Sequence, residues 1–179
     1  MIYIVDMIGK VVQSLRNGGT FDNYVDSDKN GGPYYMYGHR VEIANRLSQK
    51  TKDPSFSKKM FPLIALKLDT IETIRGDVND FRLNIVIATY TDKNYTSDQR
   101  YINVFKPVLY PLYQQFLTQF KNSGQFFWDG DQLYPPHTKL DRPLFGKEDA
   151  NGNVANLLNE PVDAIEIVDL KFYAQNKTC

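Results

Sequence analysis

The sequence predicts an α+β domain with a predominantly antiparallel sheet packed against helices. Three observations lead there. Residues 61–69 and 81–90 are apolar runs of strand length separated by a polar, glycine-bearing stretch. Residues 104–120 repeat apolar side chains at helical spacing. Residues 162–173 form a late apolar segment that alternates like a strand and slips between Ile167 and Val168, as a bulge requires. The chain of 179 residues is long enough for one domain with a substantial core, and no internal repeat or linker divides it.

Taken in order, residues 2–16 place Ile4, Val5, Ile8, Val11, Val12 and Leu15 on one helical face, and Asn17-Gly18-Gly19 ends the helix. A polar loop is expected over 17–34, then a short strand at Tyr34–Tyr37. A second helix is expected over 39–51, with Val41, Ala44 and Leu47 facing inward and Asp53-Pro54 breaking it. The strand at 61–69 is apolar on both faces, which predicts a central position, and Pro62 suits its start. Residues 70–80 are expected to be the turn. In the strand at 81–90, Phe81, Leu83, Ile85 and Ile87 alternate with Arg82, Asn84, Val86 and Ala88. Ser97 is the expected N-cap of the next helix, and Pro107 and Pro111 predict two helices in series or a kink. Residues 125–160 show little periodicity and are expected to be a long loop or arm within the single domain.

Lys and Arg number 21, as do Asp and Glu, so the net charge is zero and long-range steering toward nucleic acid is not expected. Locally the balance tilts. Residues 39–59 carry six basic side chains (Arg40, Arg46, Lys50, Lys52, Lys58, Lys59) against Glu42 and Asp53. From residue 141 onward there are seven acidic residues against four basic ones. Such a layout suits head-to-tail contact between copies as well as binding an anion, and a solvated helix face is the simpler reading. The lone cysteine, Cys179, excludes an intrachain disulfide. The N-terminal apolar run is interrupted by Asp6 and Lys10 and does not read as a signal peptide. The sequons at Asn94 and Asn176 then carry no weight. No apolar run reaches the roughly 18 residues of a membrane span, so no membrane partner is expected. The 12 Tyr and 11 Phe are spread over expected loops as well as strands, a distribution that favours contact surfaces.

Several motifs invite chemistry. Asp26, Asp28, Asn30 and Gly31 have the opening spacing of a calcium loop, but Tyr37 stands where its bidentate acid belongs. An Asx-rich turn is the simpler reading, as it is for Asp149, Asn151 and Asn153. His137 lies near Asp129, Asp131 and Asp141, the set a small metal-dependent enzyme would use, without any fixed ligand spacing. Arg46 and Lys50, one helical turn apart, could meet phosphates in a nucleic-acid-binding accessory protein. Arg75-Gly76-Asp77 matches an adhesion tripeptide that also arises by chance in turns. No P-loop, dinucleotide fingerprint or G-x-S-x-G is present, and no cofactor is expected.

The order of elements, with Phe61-Pro-Leu-Ile-Ala-Leu, Leu83-Asn-Ile-Val-Ile-Ala and Val108-Leu-Tyr-Pro-Leu-Tyr-Gln-Gln-Phe-Leu, resembles the tail-terminator and neck proteins of tailed bacteriophages. Those runs and the stretches 137–153 and 163–167 are also similar to proteins of Bacteroides-type phages and prophages. The resemblance covers residues 1–122 by architecture. It implies a small α+β subunit without catalytic residues, forming a ring, expected to be a hexamer, that caps the tail tube and meets the neck or connector. DNA would pass through the ring without sequence-specific binding, and the protein would reside in the virion. Contacts are then expected from 71–80, through Glu72, Arg75, Asp77 and Asp80. A second set is expected from 125–160, through Phe127, Trp128, Tyr134, His137, Arg142 and Phe145.

Overall fold

The computed structural model describes residues 3–17, 33–39, 41–43, 45, 61–145 and 161–175. Along these run helix α1 (Ile4–Asn17), strands β1 (Tyr34–Gly38), β2 (Leu63–Arg75) and β3 (Val78–Tyr90), and helix α2 (Ser97–Arg100). A π-helical segment (Tyr101–Leu109) leads directly into α3 (Tyr110–Asn122). Strands β4 (Phe126–Phe127), β5 (Thr138–Arg142) and β6 (Val162–Gln175) follow. The fold is α+β, as the sequence predicts.

The six strands form one curled sheet in the order β1-β2-β3-β6-β4, with β5 also paired to β6. Only the β1–β2 pair is parallel; the others are antiparallel. β2 lies between β1 and β3 as far as Lys67, which explains why its first residues are apolar on both faces. One face of the sheet carries Ile64, Leu66, Phe81, Leu83, Ile85, Ile87, Ile165 and Ile167, and the helices cover it. From α1 come Ile8, Val11, Val12 and Leu15, all buried, each contributing roughly 1.5–3 kcal/mol of transfer free energy. The Tyr35 hydroxyl donates to the carbonyl of Val5 at 2.8 Å. Its ring crosses α1 where Gly9 leaves room, since a Cβ there would sit 3.1 Å from Cε1. On the opposite, outer face a smaller cluster of Met36, Ile43, Phe61, Leu63, Ala65, Val86, Ala88, Val162 and Ala164 is buried.

Three expectations change, and a fourth is met. The stretch 70–80 is not a loop: β2 and β3 run on as a ribbon to a two-residue turn at Gly76-Asp77. Gly76 has φ of +66°, while Asp77 does not share the positive φ, the arrangement of a type II′ turn. The helix cap is Thr96 rather than Ser97; its side chain accepts from Gln99 N–H, and the Gln99 side chain returns to Thr96 N–H. The prolines divide the helical stretch into two segments in series, one of the two expected outcomes, joined without an intervening loop. Pro107 lies inside the π-helical segment, whose wider turn relieves the clash with the preceding carbonyl, and Tyr110 N–H reaches back to Phe105 O. Pro111 falls in the first turn of α3. Finally, residues 125–145 contain β4 and β5, and Pro136 O accepts from Lys171 N–H between them.

Of the helix expected over 39–51, residues 41–43 and 45 are helical. Ile43 is buried and Val41 exposed, the reverse of the expectation for Val41. Ala44 and Leu47 lie outside the described residues, as do Asp26, Asp28, Asn30, Arg46, Lys50, Asp149, Asn151 and Asn153. The late slip in alternation is a bulge. Val168 and Asp169 share Asn84 as their opposite residue, Asp169 has φ of +57°, and its N–H donates to Asn84 Oδ1 at 3.0 Å.

Candidate functional site

In the ribbon of residues 68–80 the β2 arm lies at the sheet edge beyond the end of β1, while Val78, Asn79 and Asp80 of the β3 arm still pair with Gln175, Ala174 and Tyr173 of β6. Phe81 marks the boundary: it is buried, stacks on Phe172 at 5.4 Å between centroids, and belongs with Phe116, Phe120 and Phe126 to an aromatic cluster under the sheet. Phe120 and Phe126 stack at 4.0 Å, which fixes β4 to α3. On β2 and β3 the apolar inward face ends beyond Phe81, while Ala174 and Phe126, in the row of Asn79, are still buried. Thr70, Ile71, Thr73, Ile74 and Val78 are β-branched, which keeps the chain extended where no core pulls on it. Asn79 is buried and donates to Glu72 Oε1 at 2.6 Å, while Arg75 Nε meets Asp80 at 2.9 Å across the strands. Every residue from Ile71 to Asp77 is exposed. Among them are apolar side chains left in water: Ile71 is 57% and Ile74 73% exposed, with Leu68 46% at the ribbon's base.

The strand register gathers the expected contact residues unevenly. Thr73, Asp80, Tyr173 and Phe127 lie in one row across β2, β3, β6 and β4, so exposed Phe127 stands beside Tyr173, two strands from Asp80. Glu72, Arg75, Asp77 and Asp80 are all on the ribbon itself. The remainder turn to the body of the protein. Trp128 and Tyr134 are half-buried against the helix-face core, with Trp128 Nε1 donating to Gln132 O at 3.0 Å and the Tyr134 hydroxyl 3.1 Å from Thr118. Arg142 meets Glu166 at 2.7 Å, and Phe145 packs on the outer-face cluster.

His137 has its own surroundings. Its Nδ1 lies 2.7 Å from Pro135 O, an acceptor, so that nitrogen carries a proton. In the neutral ring Nε2 then accepts from the Tyr113 hydroxyl at 2.6 Å. Lys139 Nζ sits over the rings of Tyr110 and Tyr113, and Tyr110 donates to Asp141 at 2.9 Å. Burial, with Asp141 adding to it, pushes the Tyr110 phenol up to about 12 and Tyr113 upward as well. Both therefore act as phenolic donors at neutral pH, which ties β5 to α3 and supplies no activated nucleophile. Asp129 accepts instead from Tyr173 on the outer face, so Asp129, His137 and Asp141 do not converge. Among the described residues no three His, Cys, Asp or Glu side chains are placed to hold a metal.

Two charged clusters escaped the sequence reading. Arg100 and Asp163 form a buried ion pair at 2.9 Å. Asp163 stands at the inward parity of Ile165 and Ile167, a signal that was available in the sequence. On the outer face Glu166 meets Lys67 at 2.6 Å and Arg142 at 2.7 Å. Burial alone would raise the Glu166 carboxyl, but the hydrogen bonds and charges of Lys67 and Arg142 outweigh it and hold the group below the ordinary carboxylate range. The chain matches no protein-family model, no curated protein and no solved structure. The ribbon thus stands as a surface that keeps Leu68, Ile71 and Ile74 exposed together.

Proposed function

We propose that the protein is a structural assembly subunit, a tail-terminator-like ring component of the head–tail junction of a tailed bacteriophage. The observation that carries this reading is the ribbon. Apolar side chains are held in water on both of its faces, where burial would contribute roughly 1.5–3 kcal/mol each. The edge of β2 beyond Lys67 also lacks a neighbouring strand among the described residues. A partner that covers this surface accounts for both. The aromatic cluster at its base makes the ribbon a firm extension of the core, as an assembly contact requires.

The ring, the tail tube and neck as partners, and the passage of DNA through a lumen come from the resemblance of the sequence. In this reading Glu72, Arg75, Asp77, Asp80 and Phe127 contribute contacts, and the protein is not an enzyme. The test is direct. Purified protein is examined by light scattering and negative-stain electron microscopy, alone and with tail tubes. A discrete ring, free or seated on tubes, supports the reading. A strict monomer that never joins tail particles contradicts it.

A further inference from the structure

We propose that the outer edge of β2, from Leu68 to Ile74, pairs antiparallel with the same edge of a second copy, centred on Ile71, and joins two sheets across a two-fold axis. The inference rests on reading the ribbon as an assembly surface, not on the ring.

Among the described residues the edge of β2 is covered by β1, from Leu63 to Lys67 only. The next seven residues are Leu68-Asp-Thr-Ile-Glu-Thr-Ile74, apolar at both ends and in the middle with two polar residues between. In apolar and polar terms this strand reads the same in either direction, which is what an isologous antiparallel contact needs. With Ile71 on the axis, Ile71 faces its own copy and Leu68 faces the partner's Ile74. Asp69 then faces the partner's Thr73 and Thr70 the partner's Glu72, so each carboxylate meets a hydroxyl donor. Asp69 also lies diagonal to the partner's Arg75.

Alternative registers fail on the same criteria. A slip of one residue sets Ile71 against Glu72, Asp69 against Ile74 and Leu68 against Arg75. A slip of two sets Glu72 against Glu72, or Ile71 against Asp69. In-register parallel pairing matches the apolar residues but places Asp69 on Asp69 and Glu72 on Glu72. Both faces of the sheet are served by the chosen register. Ile71 pairs with Arg82 and lies on the outer face, whereas Ile74 pairs with Asn79 and lies with Leu68 on the helix face. Each face therefore gains apolar contact.

The irregularity between Lys67 and Ile71 bends one end of this edge. In the symmetric register the bent residues 68–70 of each copy meet the regular residues 72–74 of the other. Lys67 and Arg75 come together at the ends with their charges already met by Glu166 and Asp80.

The test uses the full chain with Cys179→Ser and single cysteines on the edge, oxidised under native conditions. Facing residues of an antiparallel pair have Cα atoms about 4.5–5.5 Å apart, within reach of a disulfide. Ile71→Cys is expected to give a covalent dimer by itself. Leu68→Cys alone is expected to stay single-chain, and its mixture with Ile74→Cys to cross-link. If the protein assembles but Ile71→Cys does not cross-link, this contact is overturned and the ring reading stands. If Ile71 cross-links and particles larger than dimers never appear, this contact is supported and the ring reading falls. A monomer at all concentrations overturns both.

Discussion

Arg100 Nη1 and Asp163 Oδ1 meet at 2.9 Å with both side chains almost wholly out of solvent. Arg100 also donates to Thr91 Oγ1 and to the carbonyls of Asp92 and Lys93, while Asp163 Oδ1 accepts from Leu144 N–H. One pair thus ties α2, the loop after β3 and the chain after β5 to β6. Removing one partner leaves a buried charge uncompensated, so Arg100→Leu is expected to cost about 3–5 kcal/mol. The Arg100→Leu, Asp163→Leu double variant should lose much less than the sum of the two single losses. Urea unfolding of the four proteins checks this, and additive losses would contradict it.

Glu166 gives a prediction on the acid side. Its folded pKa lies below its unfolded value, so its ion pairs stabilise the fold above the ordinary carboxylate value of about 4.3. That contribution is lost as pH falls through the folded pKa. Glu166→Gln should therefore be less stable than the parent at pH 7, with the gap closing toward pH 3. A gap that does not vary with pH would contradict the assignment.

Tyr110 gives the alkaline counterpart. Its folded pKa is raised, so the fold holds its proton after the unfolded chain has lost it. The stability it contributes is present below about 10 and lost as pH rises toward about 12. Phenolate absorbance should show a component titrating near 12 that Tyr110→Phe removes. Loss of a component near 10 instead would contradict the placement beside Asp141.

The ribbon separates stability from assembly. Ile71→Lys and Ile74→Lys replace exposed side chains, so each should change monomer stability by no more than about 0.5 kcal/mol. Phe81→Ala, at the ribbon's buried base, should cost about 3–5 kcal/mol. The two lysine variants should nonetheless lose self-association. Retained association in both would show that the ribbon is not the contact.

The core was legible in the sequence because strands with one dry face and helices on a sheet leave periodic signals. Phe81, Leu83, Ile85 and Ile87, and Ile8, Val11, Val12 and Leu15, are buried as their spacing predicts. The ribbon was not read as strand because residues 71–77 have water on both sides, and alternation marks only a strand with one buried face. Its β-branched content was the remaining signal. β4 and β5 are too short for any period to show. Tyr134 and His137 meet Thr118 and Tyr113 within the chain, partners that no local pattern announces. Neighbours that distant in sequence are set by the path of residues 125–145 along β6 and α3, which local pattern does not encode.

The account's central claim is that the ribbon is an assembly surface, and solution mass tests it most directly. Light scattering across a concentration series should show the wild-type chain rising from its monomer mass of 20.7 kDa to a discrete larger species, with Ile71→Lys held at the monomer mass. A wild-type protein that stays at 20.7 kDa at every concentration, alone and with tail tubes, would contradict the claim.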